Sequence, residues 1–358
     1  MVRALGIDPG TGSWDVLGLK DGGEVFMDVS IPTKKVMKDA EMLISLLEKN
    51  QPWDMIVAPS GHGIPLKPIS EVTDEDILKA TLRKQKDPKI MGIGRILSLM
   101  RERDIKGYVV PGVKQLGTVP SHFKYNKIDM GTADKVCCVA ACIVDQANRL
   151  SIPWEKTSFI MVEIGYGFNA LVAVENGKII DGIGGSLGGM GFRAPGCLDG
   201  ELAYLLDHIS KKVIYSGGVT TVAGYPDLDP KELFLLAKKD KHVSDALDGF
   251  MHDLVKGIIS LIPSFKNPQV IKEIVISGRA TNQIRNVLEK SIPRVFQLPI
   301  EIVGSIARIS KTAAQGAALL ANGLASGRYN ALIDVMDLGN SNFDILGNLY
   351  VGNINLNE

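Results

Sequence analysis

Asp8 closes an apolar run, and Gly10, Thr11, Gly12 and Ser13 follow it before apolar residues resume at Trp14. The oxygens of a nucleotide triphosphate need backbone N–H donors at close range, so side chains must be absent where the chain approaches. Glycine permits that approach, and the hydroxyls of Thr11 and Ser13 add donors. A strand-end carboxylate repels phosphate directly, but it can hold Mg²⁺ or its waters against the phosphates. The stretch has the composition of a phosphate loop, with Asp8 as its metal and catalytic carboxylate. A plain β-hairpin turn is the competing reading of the same residues.

A second copy weakens that competitor. A shift of 155 positions lays Asp8 on Glu163, Gly10 on Gly165, Gly12 on Gly167, Asp21 on Asn176 and Gly22 on Gly177, without a gap. Glu163 then stands as a second metal carboxylate, and Gly165, Tyr166 and Gly167 as a second loop. Two such loops facing each other across a cleft would clamp the β- and γ-phosphates from both sides. The copies differ in bulk: Glu163 is one methylene longer than Asp8, and Tyr166 and Phe168 stand opposite Thr11 and Ser13.

The elements that must carry these loops follow from apolar runs and turn residues. Strands are expected over Val2 to Ile7, Trp14 to Leu19 and Glu24 to Ile31, with Asp21-Gly22 as a turn. Their counterparts are Ser158 to Val162, Asn169 to Val174 and Lys178 to Ile183, with Asn176-Gly177 as the turn. Helices are expected over Asp39 to Asn50, Thr73 to Lys84 with a Thr73/Asp76 capping box, Gly94 to Arg103, and Thr132 to Arg149. Further strands are expected at Asp54 to Ala58, Tyr108 to Val110, Glu273 to Ser277 and Pro299 to Val303. In the second half, helices are expected at Asp199 to His208, Pro230 to Lys238, Ser244 to Leu261 and from Thr281. The Asn-rich tail offers only short extended pieces. The fold class is α/β with two duplicated domains, 1–150 and 151–358.

Loop one (Asp8 to Trp14), loop two (Glu163 to Phe168) and an adenosine-type motif (Val275 to Ala280) occur in the order of the sugar kinase, heat-shock ATPase and actin superfamily, which the chain resembles. Ala313 to Leu324, "AAQGAALLANGL", is similar to the Gly/Ala-rich helix that follows the adenosine motif there. The likeness spans about Ala4 to Gly327. More narrowly, the chain resembles a mostly archaeal family of predicted butyrate kinases. The resemblance implies ribonuclease-H-like (actin-like ATPase) domains with ATP and Mg²⁺ in a central nucleotide cleft. It places Gly278 against the adenosine moiety and Arg279 beside adenine. Type III pantothenate kinases, of the same superfamily, open an Ala-rich helix with Gly-x-Asp-Arg and use the aspartate as catalytic base. Gly131-Thr132-Ala133-Asp134-Lys135 is similar, with one extra residue and Lys for Arg, so the likeness makes Asp134 that base. Read from the residues alone, Asp134 complements a helix N-terminus. A carboxylate acceptor would need no base, and Arg193 or His122 would neutralise it.

The 358 residues carry 40 basic and 40 acidic side chains, so no global field draws nucleic acid or an anionic membrane. A local basic cluster, Lys79, Arg83, Lys84, Lys86 and Lys89, reads as a solvated helix face. Cys137, Cys138 and Cys142 share an apolar helical segment and read as packing residues in a reduced, cytoplasmic setting. No apolar run reaches membrane-spanning length, and the N-terminus lacks a signal-peptide pattern. No GxxxxGK[ST] motif is present, which excludes a P-loop NTPase. The expected partner is a small-molecule substrate, with a homodimer as the assembly considered and nothing in the sequence that fixes it. The function expected is ATP- and Mg²⁺-dependent phosphoryl transfer to that substrate. An actin- or chaperone-like switch with slow ATP hydrolysis and a non-catalytic member of the superfamily remain open beside it.

Overall fold

The strands that bear the glycine loops read as continuous apolar runs because both their faces are covered. In β1 (Arg3–Pro9) and β2 (Ser13–Lys20) the interior residues are buried without alternation. The computed structural model describes residues 1–83, 92–292 and 298–352. It forms two compact units: Met1–Lys156 with Asn176–Ile179 and Gly304–Glu358, and Thr157–Glu175 with Ile180–Val303. Asn176–Ile179 and Gly304–Glu358 are thus grouped with the N-terminal residues.

In the first unit β3 (Val25–Pro32), β4 (Met55–Val57), β5 (Lys67–Pro68) and β6 (Gly107–Val109) complete a sheet of order β3-β2-β1-β4-β6-β5. β1, β2 and β3 are antiparallel neighbours, while β4 runs parallel to β1 and β6 parallel to β4. The second sheet has the order β9-β8-β7-β10-β11, from β7 (Phe159–Ile164), β8 (Asn169–Glu175), β9 (Lys178–Ile183), β10 (Glu273–Gly278) and β11 (Ile300–Ile302). Apart from the two-residue β5, the orders and strand senses coincide. The registers coincide too: Pro9 pairs with Trp14 across loop one, and Ile164 pairs with Asn169 across loop two, the same 155-residue shift. The duplication legible in the sequence is therefore a duplication of topology.

On one face of the first sheet Leu5, Ile7, Val16 and Ile56 pack with Leu43, Leu47, Ile96 and Met100 of helices Glu41–Lys49 and Ile93–Glu102. Elsewhere on β1 the backbone itself is approached. A Cβ added at Gly6 would lie 2.2 Å from the amide nitrogen of Ala318 in helix Thr312–Leu324. One added at Gly316 would lie 1.7 Å from the carbonyl oxygen of Cys137 in helix Ala133–Leu150. The Gly/Ala composition of "AAQGAALLANGL" thus has a packing cause, namely helix–strand and helix–helix contact at backbone distance. In the second unit, Ile160, Val162, Ile274 and Ile276 pack with Phe250 and Leu254 of helix Lys241–Leu261 and with Ile284 of helix Thr281–Ser291.

Several expectations need correction. Asp21-Gly22 is not a two-residue primed turn. Gly23 takes φ +82°, and the amide of Lys20 donates to the carbonyl of Glu24 across a three-residue loop. Its counterpart Asn176-Gly177 does have two positive φ values, 53° and 74°. A helix, Thr33–Lys38, lies between β3 and Glu41–Lys49 where none was expected. The tail contains the helix Asn330–Val335, and no strand occurs among the described residues after it. The Thr73/Asp76 capping box is present at the start of Asp74–Thr81. Of the basic cluster, Lys79 pairs with Glu75 and Asp344. Lys84, Lys86 and Lys89 lie outside the described residues.

Candidate functional site

In the first unit the hairpin register sets Asp8 of β1 opposite Asp15 of β2, both almost wholly buried. Between these strands the loop Gly10–Ser13 is tied from below, since the Thr33 hydroxyl donates to the Gly10 carbonyl at 2.7 Å and the Thr33 amide to the Gly12 carbonyl at 3.2 Å. Thr11 and Gly12 are exposed. Under the loop sits a lysine that sequence reading did not single out. The Lys311 ammonium lies 2.7 Å from Oδ2 of Asp8 and 3.6 Å from Oδ2 of Asp15, and it donates to the Ser13 carbonyl at 3.1 Å. A Cβ at Gly10 would lie 2.2 Å from that ammonium and 2.8 Å from the Ser13 carbonyl oxygen, and the backbone contact is the one that calls for glycine.

Asp134 lies in the first turn of helix Ala133–Leu150, as expected. The Thr132 hydroxyl and the Lys135 ammonium both donate to its carboxylate, the latter at 2.6 Å. Burial would raise the Asp134 carboxyl, but Lys135 and Thr132, with Lys311 further off, hold it below the ordinary aspartate value. Asp8 behaves in the opposite way. Burial pushes its carboxyl up to about 6 against the pull of Lys311, and the negative charge of Asp134 adds to the rise. The first unit therefore brings Asp8, the Gly10–Ser13 loop and Asp134 together. Burial, with Asp134 and Asp8 nearby, also pushes the Cys137 thiol well above its ordinary value, which leaves it a packing residue.

A small recess, with room for about one water-sized group, lies at the carboxyl ends of β1, β4 and β6, bounded by Pro9, Ala58, Ser60, Val110, Asp134 and Cys137. The carboxyl ends of parallel strands are where α/β sheets bind ligands. The segment Ala58 to Pro65, "APSGHGIP", reaches it through Ser60, whose hydroxyl donates to the Ala58 carbonyl and accepts from the Val110 amide. His122 is exposed, its ring edge-on to Phe123.

In the second unit Glu163 is 9% exposed and stands beside Ser277 in the β7–β10 register. Loop two closes when the Gly165 amide donates to the Phe168 carbonyl at 2.9 Å. Tyr166 is sandwiched: the Arg193 guanidinium lies 4.4 Å and the Arg279 guanidinium 4.7 Å from its ring centroid, and Arg193 donates to its hydroxyl. Phe168 packs edge-on to Tyr215 and under Gly185. The Gly167 carbonyl accepts from the amides of Arg193 and Ala194, and a Cβ at Gly191 would lie 2.2 Å from the Gly167 oxygen. The segment Gly184 to Gly196, "GGSLGGMGFRAPG", has six glycines, and they serve in part to bring it against loop two. Gly278 has φ +95°, and a Cβ there would lie 2.1 Å from the Ile164 carbonyl, which accepts from the Arg279 amide. The second unit thus joins Glu163, Gly165, Tyr166, Gly167, Gly278 and Arg279.

The residues present fit a divalent cation at Asp8. Its buried carboxylate ends a strand beside the partly exposed Gly10–Ser13 loop, and a carboxylate oxygen is the hard donor that Mg²⁺ takes. Among the described residues no three His, Cys, Asp or Glu side chains form a ready-made metal cluster, and no helix is long and apolar enough to cross a membrane.

The sheet pair and the repeated loop define a class, a duplicated actin-like ATPase fold. A crystal structure of a propionate kinase from Francisella tularensis subsp. tularensis superposes with a TM-score of 0.61 at 18% identity, covering 89% of this chain and 98% of that one. An acetate kinase from Entamoeba histolytica gives 0.59 at 14% identity, over 80% of this chain and 85% of that one. A ROK family glucokinase from Streptomyces griseus, in complex with glucose and AMPPNP, gives 0.50 at 12% identity, over 89% and 99%. At such identities the likeness is one of fold. Within that class the chain belongs to the family described as a protein of unknown function, DUF1464, which matches residues 6–349. No curated protein matches it in sequence.

Proposed function

We propose that this protein is an ATP- and Mg²⁺-dependent phosphotransferase acting on a small-molecule acceptor. One observation carries the reading: the same glycine loop, preceded by a buried carboxylate, closes the same hairpin in both sheets. Backbone amides and hydroxyls of Gly10–Ser13 and the amides of Tyr166 and Gly167, with Gly165 permitting close approach, would bind phosphate, and Gly278 and Arg279 the nucleoside. Asp8 at loop one, and its counterpart Glu163 at loop two, are each the carboxylate that would hold Mg²⁺, which when bound neutralises phosphate charge. The structural likeness to carboxylate kinases and to a sugar kinase holding a nucleotide analogue supports this class of reaction.

Asp134 decides the acceptor. Held ionised by Lys135 and Thr132, it suits an acceptor hydroxyl: the hydroxyl oxygen attacks the γ-phosphorus, the bond to the bridging oxygen breaks as ADP leaves, and the proton passes to Asp134. A short-chain carboxylate, butyrate-like, is the second reading, favoured by the propionate and acetate kinase likeness. It needs a cation in place of a base. ADP release from ATP and Mg²⁺, measured across short-chain carboxylates, sugars and pantothenate-like alcohols, tests both. Stimulation by one class supports the reading and names the class. Turnover that no acceptor stimulates indicates a nucleotide switch. Absence of ATP binding by calorimetry, with Asp8→Ala behaving as wild type, overturns the phosphotransferase reading.

A further inference from the structure

Lys311 is placed with more care than a surface lysine receives. Asp28, on β3, accepts from the amides of Arg308, Ile309 and Ser310, each at 2.8 Å, and from the Ser310 hydroxyl. Asp15, on β2, accepts from the next amide, that of Lys311, at 2.9 Å, and is itself held by the Ser30 hydroxyl at 2.7 Å. Four consecutive amides are thus captured by two carboxylates of one hairpin, and the strap entering helix Thr312–Leu324 is fixed onto β2 and β3. Its side chain then runs beneath the loop, with the ammonium against Gly10 and on the carboxylate of Asp8. The side chain keeps 34% of its surface open, although both of its carboxylate neighbours are buried.

We propose that Lys311 is a phosphate-binding residue of loop one: its ammonium, fixed at Asp8 and the Ser13 carbonyl, takes a phosphoryl oxygen of the bound nucleotide. This rests on the nucleotide reading above and adds to it a cation supplied by the polypeptide from the far end of the chain. Three features converge. The ammonium is within reach of the backbone that reading assigns to phosphate. It stands at the start of a 13-residue helix, whose N-terminal amides add positive potential. The hydrogen bonds to Asp15 and Asp28 pre-order the strap, so little need be ordered when an anion arrives.

The test measures binding of ATP, tripolyphosphate and adenosine by calorimetry, with and without Mg²⁺, for wild type, Lys311→Gln and Lys311→Arg, with a thermal melt of each. Lys311→Gln is expected to weaken ATP and tripolyphosphate about tenfold or more, the scale of a charge-assisted hydrogen bond, and to do so in EDTA as well. Adenosine should bind within about twofold of wild type, and Lys311→Arg should recover part of the loss. Unchanged ATP binding by Lys311→Gln overturns the role of Lys311 and leaves the phosphotransferase reading standing. Equal losses for ATP and adenosine also overturn it, because they report a disturbed unit rather than a lost phosphate contact. A wild type that binds neither ATP nor tripolyphosphate overturns both readings together.

Discussion

The ammonium of Lys311 sits 2.7 Å from Oδ2 of Asp8, so the first glycine loop is built over an ion pair joining the residue that precedes helix Thr312–Leu324 to the first strand. Burial still disfavours the charge on Asp8. A carboxylate kept where it is unwelcome points to function rather than to stability. Asp8→Asn should therefore leave Tm unchanged or higher, while turnover falls at least about 100-fold. Differential scanning calorimetry beside the ADP-release assay reads both. A lower Tm with turnover intact would reverse the interpretation.

Asp134 receives hydrogen bonds from Thr132 and Lys135 and faces the recess at the strand ends. If it accepts the acceptor's proton, Asp134→Asn lowers turnover by about 100-fold or more with ATP affinity within about twofold. Single-turnover kinetics separate the two effects. Turnover within about twofold of wild type would remove the residue from the mechanism and favour a carboxylate acceptor.

The contact between Gly316 and the Cys137 carbonyl leaves no room for a methyl group. Gly316→Ala must force the two helices apart, at a cost on the order of 2–4 kcal/mol. Gly22→Ala, where an added Cβ meets nothing within 4 Å, serves as the control. Urea denaturation of the two variants should show the first midpoint well below the second, and equal midpoints would contradict the close packing.

Two buried lysines give a pH signature. Lys114 donates to the carbonyls of Ile345 and Gly347 at 2.6 and 2.7 Å, and Lys124 donates to the Leu116 carbonyl beneath the Phe343 ring. Burial lowers both from the usual 10.5 to about 8. Between about pH 8 and 10.5 the unfolded chain holds more protons than the folded one, so stability contributed by these groups rises with pH across that window. Thermal melts should show Tm of wild type gaining on Lys114→Met and Lys124→Met by at least about 2 °C from pH 8 to pH 10. A gap that is constant or shrinks would exclude the assignment.

Much of this molecule is local and therefore legible. Long apolar runs ending in Asx-Gly turns placed the strands within a residue or two, and the capping box at Thr73 marked a helix start as its hydrogen bonds confirm. The 155-residue repeat foretold two sheets of one topology, because a hairpin's register is set by its own turn. Short helices such as Thr33–Lys38 escaped, since six residues hold too little periodicity to read. Tyr166 and Phe168 are the bulky residues of loop two, where loop one has Thr11 and Ser13. In the fold their rings are taken up by Arg193 and Arg279 in one case and by Tyr215 in the other.

The sequence by itself determined the two loops, their carboxylates Asp8 and Glu163, and the helix whose first turn holds Asp134, because each is a pattern written within about ten consecutive residues. Tertiary structure alone decided that Lys311 should stand under Gly10, that Arg193 and Arg279 should share Tyr166, and that Gly316 should meet Cys137. Those pairings join residues remote in the chain, and their strength comes from burial and close approach, which only the packed sheet and its helices create.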